Sequence, residues 1–334
     1  MVKIVEKLNM VVKSFKTLFP LKVIIFILFA STVYAKQNDI TLNRLKKPYN
    51  STDPDCSQEN VDCPNQQAFR NLMREFGYAI APMKLLPGET YGYGGGFFGI
   101  LGHITFISNE QDYWKNGVQE MNPPAALFLF EATSQFIFIP YFLEWGFTVG
   151  YLFTTSDTTI GFNVKTSPFE GFRKGVGGAF PDISFGFGLN RLIGDDEVSL
   201  TTGTADATIS YAFSPGGVVV LTPFIAVSVV GVVAESELVD STPQINQGAN
   251  GCPIHVGNPT QGVSCATGNL EDFNNNLKFT REWIYFVKMT YGFRLIYELL
   301  SITVAGSHGH QFDRNSNDPS NTLGQISFSV GLDF

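Results

Sequence analysis

The sequence predicts an all-β fold: a transmembrane antiparallel β-barrel of about ten strands, with twelve as the alternative count, preceded by a short N-terminal segment. Three observations predict it. Of ten candidate stretches, all but the seventh alternate apolar residues with small or polar ones at a period of two, which sets one face of each strand against lipid and the other in a wet interior. Charged residues are only 16% of the chain, aromatics are 14%, and there are 33 glycines, a composition suited to an aromatic girdle and a glycine-rich wall. The connections between the stretches are unequal, with tight turns on one side and long polar loops on the other.

The chain opens on an export address. Lys3, Lys7, Lys13, Lys16 and Lys22 form a basic stretch, Val23–Ala30 is an apolar core of eight residues, and Val33-Tyr-Ala35 puts small residues where a signal peptidase reads. The core is too short to cross about 30 Å of hydrocarbon as a helix. Residues 1–35 therefore read as a signal peptide cleaved after Ala35, with Met10 as an alternative start. No Cys follows the cleavage site, which argues against a lipoprotein. Cleavage takes five Lys and one Glu from the precursor's 22 basic and 30 acidic side chains, leaving 17 and 29 and a net charge near −12. So acidic a chain excludes nucleic acid as a partner, because phosphate contacts need Lys and Arg. Beyond residue 35 no apolar run is long enough for a transmembrane helix.

Residues 36–65 are polar and rich in Asn, Asp, Pro and Gln, and read as a segment, not a domain. The cysteines form two local pairs, and four cysteines allow three connectivities. In the oxidising compartment that export implies, Cys56–Cys63 and Cys252–Cys265 are the expected disulfides, each closing a short polar loop. Zinc through Cys252-x-x-His255 is the alternative. The remaining spacings are not those of a zinc site, so no metal and no cofactor is expected. Gln66 to Phe76, with Ala68, Leu72 and Phe76 at fourfold spacing, reads as one short helix.

The strands follow. The first sets Phe98, Ile100, Ile104 and Phe106 against Gly99, His103 and Thr105, and the second sets Phe128, Phe130, Phe136 and Phe138 against Glu131, Thr133 and Gln135. In the third, Leu143, Trp145, Phe147, Val149 and Tyr151 oppose Glu144, Gly146, Thr148 and Gly150. In the fourth, Ile160, Phe162 and Val164 oppose Gly161, Asn163 and Lys165. The fifth sets Ile183, Phe185, Phe187 and Leu189 against Ser184, Gly186, Gly188 and Asn190. The sixth sets Ala205, Ala207, Ile209, Tyr211 and Phe213 against Thr204, Asp206, Thr208 and Ser210. The seventh, Val218–Ala234, is apolar on both faces and contains Pro223, which a fully paired ladder tolerates only near an end or a bulge. The eighth alternates Trp283, Tyr285, Val287, Met289, Tyr291, Phe293 and Leu295 with Glu282, Lys288, Thr290, Gly292 and Arg294. The ninth alternates Leu300, Ile302 and Val304 with Ser301, Thr303 and Ala305.

The tenth closes the chain. Ile326, Phe328, Val330, Leu332 and Phe334 share one face, and Gln325, Ser327, Ser329, Gly331 and Asp333 the other. The stretch resembles the C-terminal signal by which Gram-negative outer-membrane β-barrels are recognised for assembly: a terminal aromatic with apolar residues at every second position before it. The resemblance implies a place, the cell outer membrane, and two partners, the lipids of that membrane and the barrel-assembly machinery. Such barrels keep both termini and their short turns in the periplasm and their longer loops outside. Counting ten strands, the long connections Ser108–Pro124, Ser236–Leu277 and Ser307–Asn321 all face out, while Ile139–Tyr141 and Phe213–Gly216 are tight and face in. Ser167–Pro181 is a longer stretch on the periplasmic side; the alternative of twelve strands takes Phe69–Pro87 into the wall. The expected plan is a signal peptide (1–35), a periplasmic, plug-like segment (36–90) whose helix lies at the periplasmic mouth or plugs it, and the barrel (91–334).

The inward phases place His103, Glu131, Glu144, Lys165, Asp206, Glu282, Lys288 and Arg294 in the interior. Such a set is either a charge path that selects a solute or a network of salt bridges that fills a narrow lumen. His308, His310 and Asp313, read in an outer loop, are residue types that bind a transition metal or form an acid–His pair, but no Ser-His-acid constellation accompanies them. The Gly-rich Tyr91–Phe97 opens a strand instead of joining one to a helix, so it is no phosphate loop. No catalytic residue is assigned and the chain is not expected to be an enzyme. The leading expectation is a passive channel for small solutes. The alternative is a structural or adhesive barrel with a closed lumen that acts through its outer loops, the largest of which spans 236–277.

Overall fold

The computed structural model describes residues 39–48, 63–83, 85–91, 94–140, 142–169, 180–214, 218–241, 245–247, 253–255, 270–271, 276–311 and 322–334. Ten strands close into one antiparallel barrel. They are β1 (Gly96–Phe106), β2 (Ala126–Ile139), β3 (Leu143–Leu152), β4 (Asp157–Thr166), β5 (Asp182–Ile193), β6 (Val198–Ser210), β7 (Val219–Ser236), β8 (Glu282–Tyr297), β9 (Leu300–Gln311) and β10 (Thr322–Asp333). Each pairs with the next, and β10 pairs with β1, as in Ile326↔Ile104, so the sheet has no free edge. The outward face is a continuous apolar surface in which Phe98, Phe147, Phe185, Ile225, Phe293 and Phe328 are all exposed. The count of twelve is ruled out because residues 69–87 contribute no strand to the wall.

What fills the barrel is its own chain. Helix α1 runs Gln66–Ile80, one turn further than the fourfold spacing predicts. Asn65 caps it by accepting a hydrogen bond from the Ala68 amide, and Pro82 bars its continuation past Ala81. Phe69, Leu72, Met73, Phe76 and Ile80 are fully buried. The added turn contains Gly77 because the helix there lies against β7: a Cβ would stand 2.6 Å from the Val232 methyls. Past Ala81 the chain continues as a strap down the interior, with Leu85 packed on Leu101, Phe224 and Ala305. Gly94, at φ +71°, turns it toward β1, where Gly96 and Phe334 exchange backbone hydrogen bonds.

This explains the seventh strand. The half of the interior wall around α1 is apolar, with Leu127, Leu129, Leu200, Val230, Val232 and Ile284 joining the helix in one core. The inward face of β7 therefore meets protein, not water, and needs no polar residues. Pro223 is tolerated because its missing amide falls on the β6 side at a break in the pairing, between Ser210↔Phe224 and the isolated Phe213↔Leu221 bridge. The Pro223 carbonyl accepts from the Tyr211 amide just past that end, so Tyr211 and Phe213 lie beyond β6, not within it.

The two ends of the barrel differ. One carries Phe334 and the tight β8–β9 and β2–β3 turns; the other carries the long β1–β2 and β7–β8 connections. The described part of the N-terminal segment was expected at the end that holds Phe334, and it lies at the opposite one. Ile40 bridges to Val118, the Thr41 amide donates to Gly117 O at 3.0 Å, and the Gln119 amide donates to Asp39 O at 2.9 Å. The reason is apolar: Leu42, Leu45, Trp114 and Val118 cover the upper end of α1, where Phe69, Leu72 and Phe76 would otherwise meet water.

A second correction concerns the histidines. Strand β9 extends to Gln311, so His308 and His310 are exposed on the outer surface of the wall and do not sit in a loop; Tyr291 OH lies 2.9 Å from His308. Asp313 lies outside the described residues, as do Cys56, Cys252, Cys265, residues 170–179 and most of 242–275. Cys63 is buried, and no free cysteine occurs among the described residues.

Candidate functional site in the barrel interior

The half of the interior nearer Phe334 is polar, and there the wall grips the strap. Lys165, 3% exposed, holds the strap by ion pair and hydrogen bond at once. Its ammonium lies 2.8 Å from Glu144 Oε2 and donates to Pro87 O at 3.2 Å and Glu89 O at 2.6 Å. Glu144 Oε1 accepts from the Tyr91 amide at 2.8 Å. Ser167 donates to Gly88 O, and Ser210 accepts from the Gly88 amide. Beside this clamp, Arg294 pairs with Asp333, and its guanidinium lies against the rings of Tyr91 and Phe97.

A second group holds the junction of helix and strap. Glu131, buried in β2, accepts from Asn190 Nδ2 at 3.3 Å and lies 3.2 Å from His103 Nε2; His103 Nδ1 faces Ser327 at 2.8 Å. Asn190 also donates to Ile80 O, the last carbonyl of α1. Lys288 donates to Gln325 and lies 4.7 Å from the centre of the Tyr78 ring. Gln325 donates in turn to Thr105 and Ala79 O. Lys288 and the half-buried Asp206 both line a cavity of about 10 Å³, room for one water, closed by Pro82 and Met83 of the strap. Glu282 sits higher, where Arg70 and Gln66 of α1 bind its carboxylate.

The end with the long connections holds groups that sequence reading missed. Glu75, inside α1, is fully buried and accepts from Tyr113 OH and Trp114 Nε1, each at 2.7 Å, and from the Ser108 amide. It ties the β1–β2 connection, with its helix α2 (Asp112–Gly117), to the helix below. Burial, then the Glu75 charge, pushes the Tyr113 hydroxyl well above its ordinary pKa. At the rim, Asp39, Asp157 and Asp195 bring carboxylate oxygens within 4.8 Å of one another. Oxygen donors at this spacing also suit a hard cation. Burial, followed by the Asp157 charge, pushes Asp195 up to about 7, and burial raises Glu197, whose Oε2 accepts from the Leu42 amide at 2.6 Å. No spacing signal could have found these three aspartates, which come from three distant parts of the chain. Asn190 and Gln325 escaped because they are neutral, though they fall on the inward phase of their strands.

The rim carries a pH prediction. Because Asp195 is raised in the folded state, its protonated form favours docking. The stabilisation is complete below the ordinary carboxylate value of 3.8 and is lost as pH rises toward about 7. The charges of Asp157 and Asp39 raise Asp195 further, and those of Asp39 and Asp196 raise Glu197. Amide exchange at Thr41 and Gln119, corrected for its intrinsic pH dependence, should therefore speed up across that window. Asp195→Asn should flatten the response; an unchanged response in that variant would sink the assignment.

No protein-family model matches this sequence, and no curated protein matches it. Among solved structures, it is similar to the N-terminal β-barrel domain of Pseudomonas aeruginosa OprF, at 9% identity and a TM-score of 0.30, over 73% of this chain and 99% of that one. It is also similar to Neisserial surface protein A, at 8% identity and a TM-score of 0.28, over 72% and 97%. A third is the translocator domain of the autotransporter NalP from Neisseria meningitidis, at 9% identity and a TM-score of 0.32, over 80% and 96%. Each is a likeness of barrel to barrel and says nothing of what this chain does.

Proposed function

We propose that this protein is an exported outer-membrane barrel, closed by its own N-terminal chain, that acts through the surface it presents outside the cell. The carrying observation is the packing of α1 and the strap inside the wall, with Lys165, Glu131, Lys288 and Arg294 all engaged by protein partners. A diffusion channel needs a wet path past such groups; here they hold the obstruction in place. The long β7–β8 connection, with its own small antiparallel sheet (Ile245–Gln247, Pro253–His255 and Leu270–Glu271), is the largest feature at the end taken as outer. Cleavage after Ala35, the disulfides Cys56–Cys63 and Cys252–Cys265, and assembly through Ile326–Phe334 belong to the same reading. The partners are outer-membrane lipids and the barrel-assembly machinery.

The channel reading keeps one specific support. Gln135 Oε1, Asn163 Oδ1 and Ser184 Oγ are buried on the inward faces of β2, β4 and β5 with no protein partner. Such acceptors suit water or a small solute once the strap moves. Planar bilayers separate the two readings. The purified full chain, with its folded barrel verified by heat-modifiable gel mobility, should give no reproducible conductance steps. Regular steps from the intact chain would favour the passive channel.

A further inference from the structure

We propose that the chain crosses the membrane through its own barrel, so that residues 39–48 stand at the outer surface and the interior wall is a binding groove for a polypeptide strap, residues 81–83 and 85–91. The inference rests on the orientation taken above, with the long connections outside.

The first support is directional. The segment before α1 is tied to the end with the long connections, through Ile40↔Val118, Thr41 N to Gly117 O and Leu42 N to Glu197. The far end of the strap is tied to the opposite end, through Tyr91 N to Glu144 and the Gly96–Phe334 exchange. A chain held at both ends has passed the interior once, from one face of the membrane to the other.

The second support is the chemistry of the grip. Gln325 binds Ala79 O, Asn190 binds Ile80 O, Lys165 binds Pro87 O and Glu89 O, Ser167 binds Gly88 O, and Ser210 and Glu144 bind the amides of Gly88 and Tyr91. Every one of these contacts is to main chain. A wall that reads carbonyls and amides holds a polypeptide by its backbone, as main-chain hydrogen bonding does in peptide recognition, while the Leu85 side chain and the Tyr91 ring add contacts of their own. Pairing within the wall does not need such contacts, since the strands satisfy one another.

The third support is relief in the wall. At Gly188 of β5 a Cβ would stand 2.7 Å from the Pro82 ring, so the wall is cut back where the strap passes. Gly88 of the strap likewise has no room for a side chain, with Asp182 O at 2.8 Å from the Cβ position. Groove and chain are fitted to each other at close range.

Single cysteines read by a membrane-impermeant maleimide in intact Gram-negative cells test this. Pro48→Cys marks the exposed end of the N-terminal segment, Lys115→Cys the exposed side of α2, and Leu299→Cys the tight turn beside Phe334. The wild-type chain supplies the background, heat-modifiable mobility verifies folding, and Lys46→Cys replaces Pro48→Cys if that variant fails to fold. The expected result is labelling of Pro48→Cys and Lys115→Cys in intact cells, with Leu299→Cys labelled only after permeabilisation. If Lys115→Cys labels in intact cells but Pro48→Cys does not, the threading is overturned while the orientation stands. If Leu299→Cys labels and Lys115→Cys does not, the orientation falls and the inference falls with it.

Discussion

Replacing Lys165 with Met is expected to destabilise the folded barrel by about 3–5 kcal/mol, the usual cost of leaving one charge of a buried pair unpaired. Met keeps most of the apolar stem, so the loss is that of the ammonium. Glu144, fully buried, would retain only the Tyr91 amide, and the carbonyls of Pro87 and Glu89 would lose their donor. Adding Glu144→Gln removes the stranded charge, so the double variant should recover part of the loss. The readout is the urea midpoint for disappearance of the folded, heat-modifiable band. Equal midpoints for the single and double variants would show that the pair is not the anchor it is taken to be.

The same clamp shows where sequence reading reaches its limit. The ten strands were legible because lipid imposes one rule on every outward position, and a period of two carries that rule residue by residue, from Phe98 to Phe334. The interior has no single rule. Near α1 it asks for Val230, Val232 and Ile284, and around the strap for Lys165, Glu144 and Ser210. That change of environment made Val218–Ala234 look ambiguous when it was simply facing a helix. Besides Glu144, the partners of Lys165 are backbone carbonyls of residues 87 and 89, which no motif marks. The helix itself was legible at Ala68, Leu72 and Phe76. Its last turn was not, because the fourfold spacing ends at Phe76, and only the approach of Val232 shows why a glycine follows. The rim aspartates were out of reach, since Asp39, Asp157 and Asp195 meet only after the barrel closes around the threaded chain.

Deleting residues 36–90 is expected to turn a silent barrel into a conducting one. The segment's described residues supply no strand to the wall, so all ten strands and the β10–β1 closure can form without it. What leaves is a helix, a cylinder about 10 Å across with its side chains, together with the strap below it. Leu129, Val230, Val232, Ile284 and Phe286 would then face water, each at a cost of roughly 1.5–3 kcal/mol if it had been fully covered, so the variant should be markedly less stable. Its interior would still carry Glu131, Glu144, Asp206 and Glu282 against Lys165, Lys288 and Arg294, with Asp333 neutralising Arg294. An excess of carboxylates in a low-dielectric passage favours cations. Conductance steps in planar bilayers should therefore appear with a modest cation preference in the reversal potential, and Glu131→Gln in the same background should weaken that preference. Should the deletion fail to fold, the combination Asn190→Ala with Gln325→Ala keeps the segment but removes the donors to Ile80 O and Ala79 O, and brief openings are expected in its place. A folded deletion variant as silent as the full chain would mean that the wall collapses on itself, and that the threaded segment occupies the interior without being what closes it.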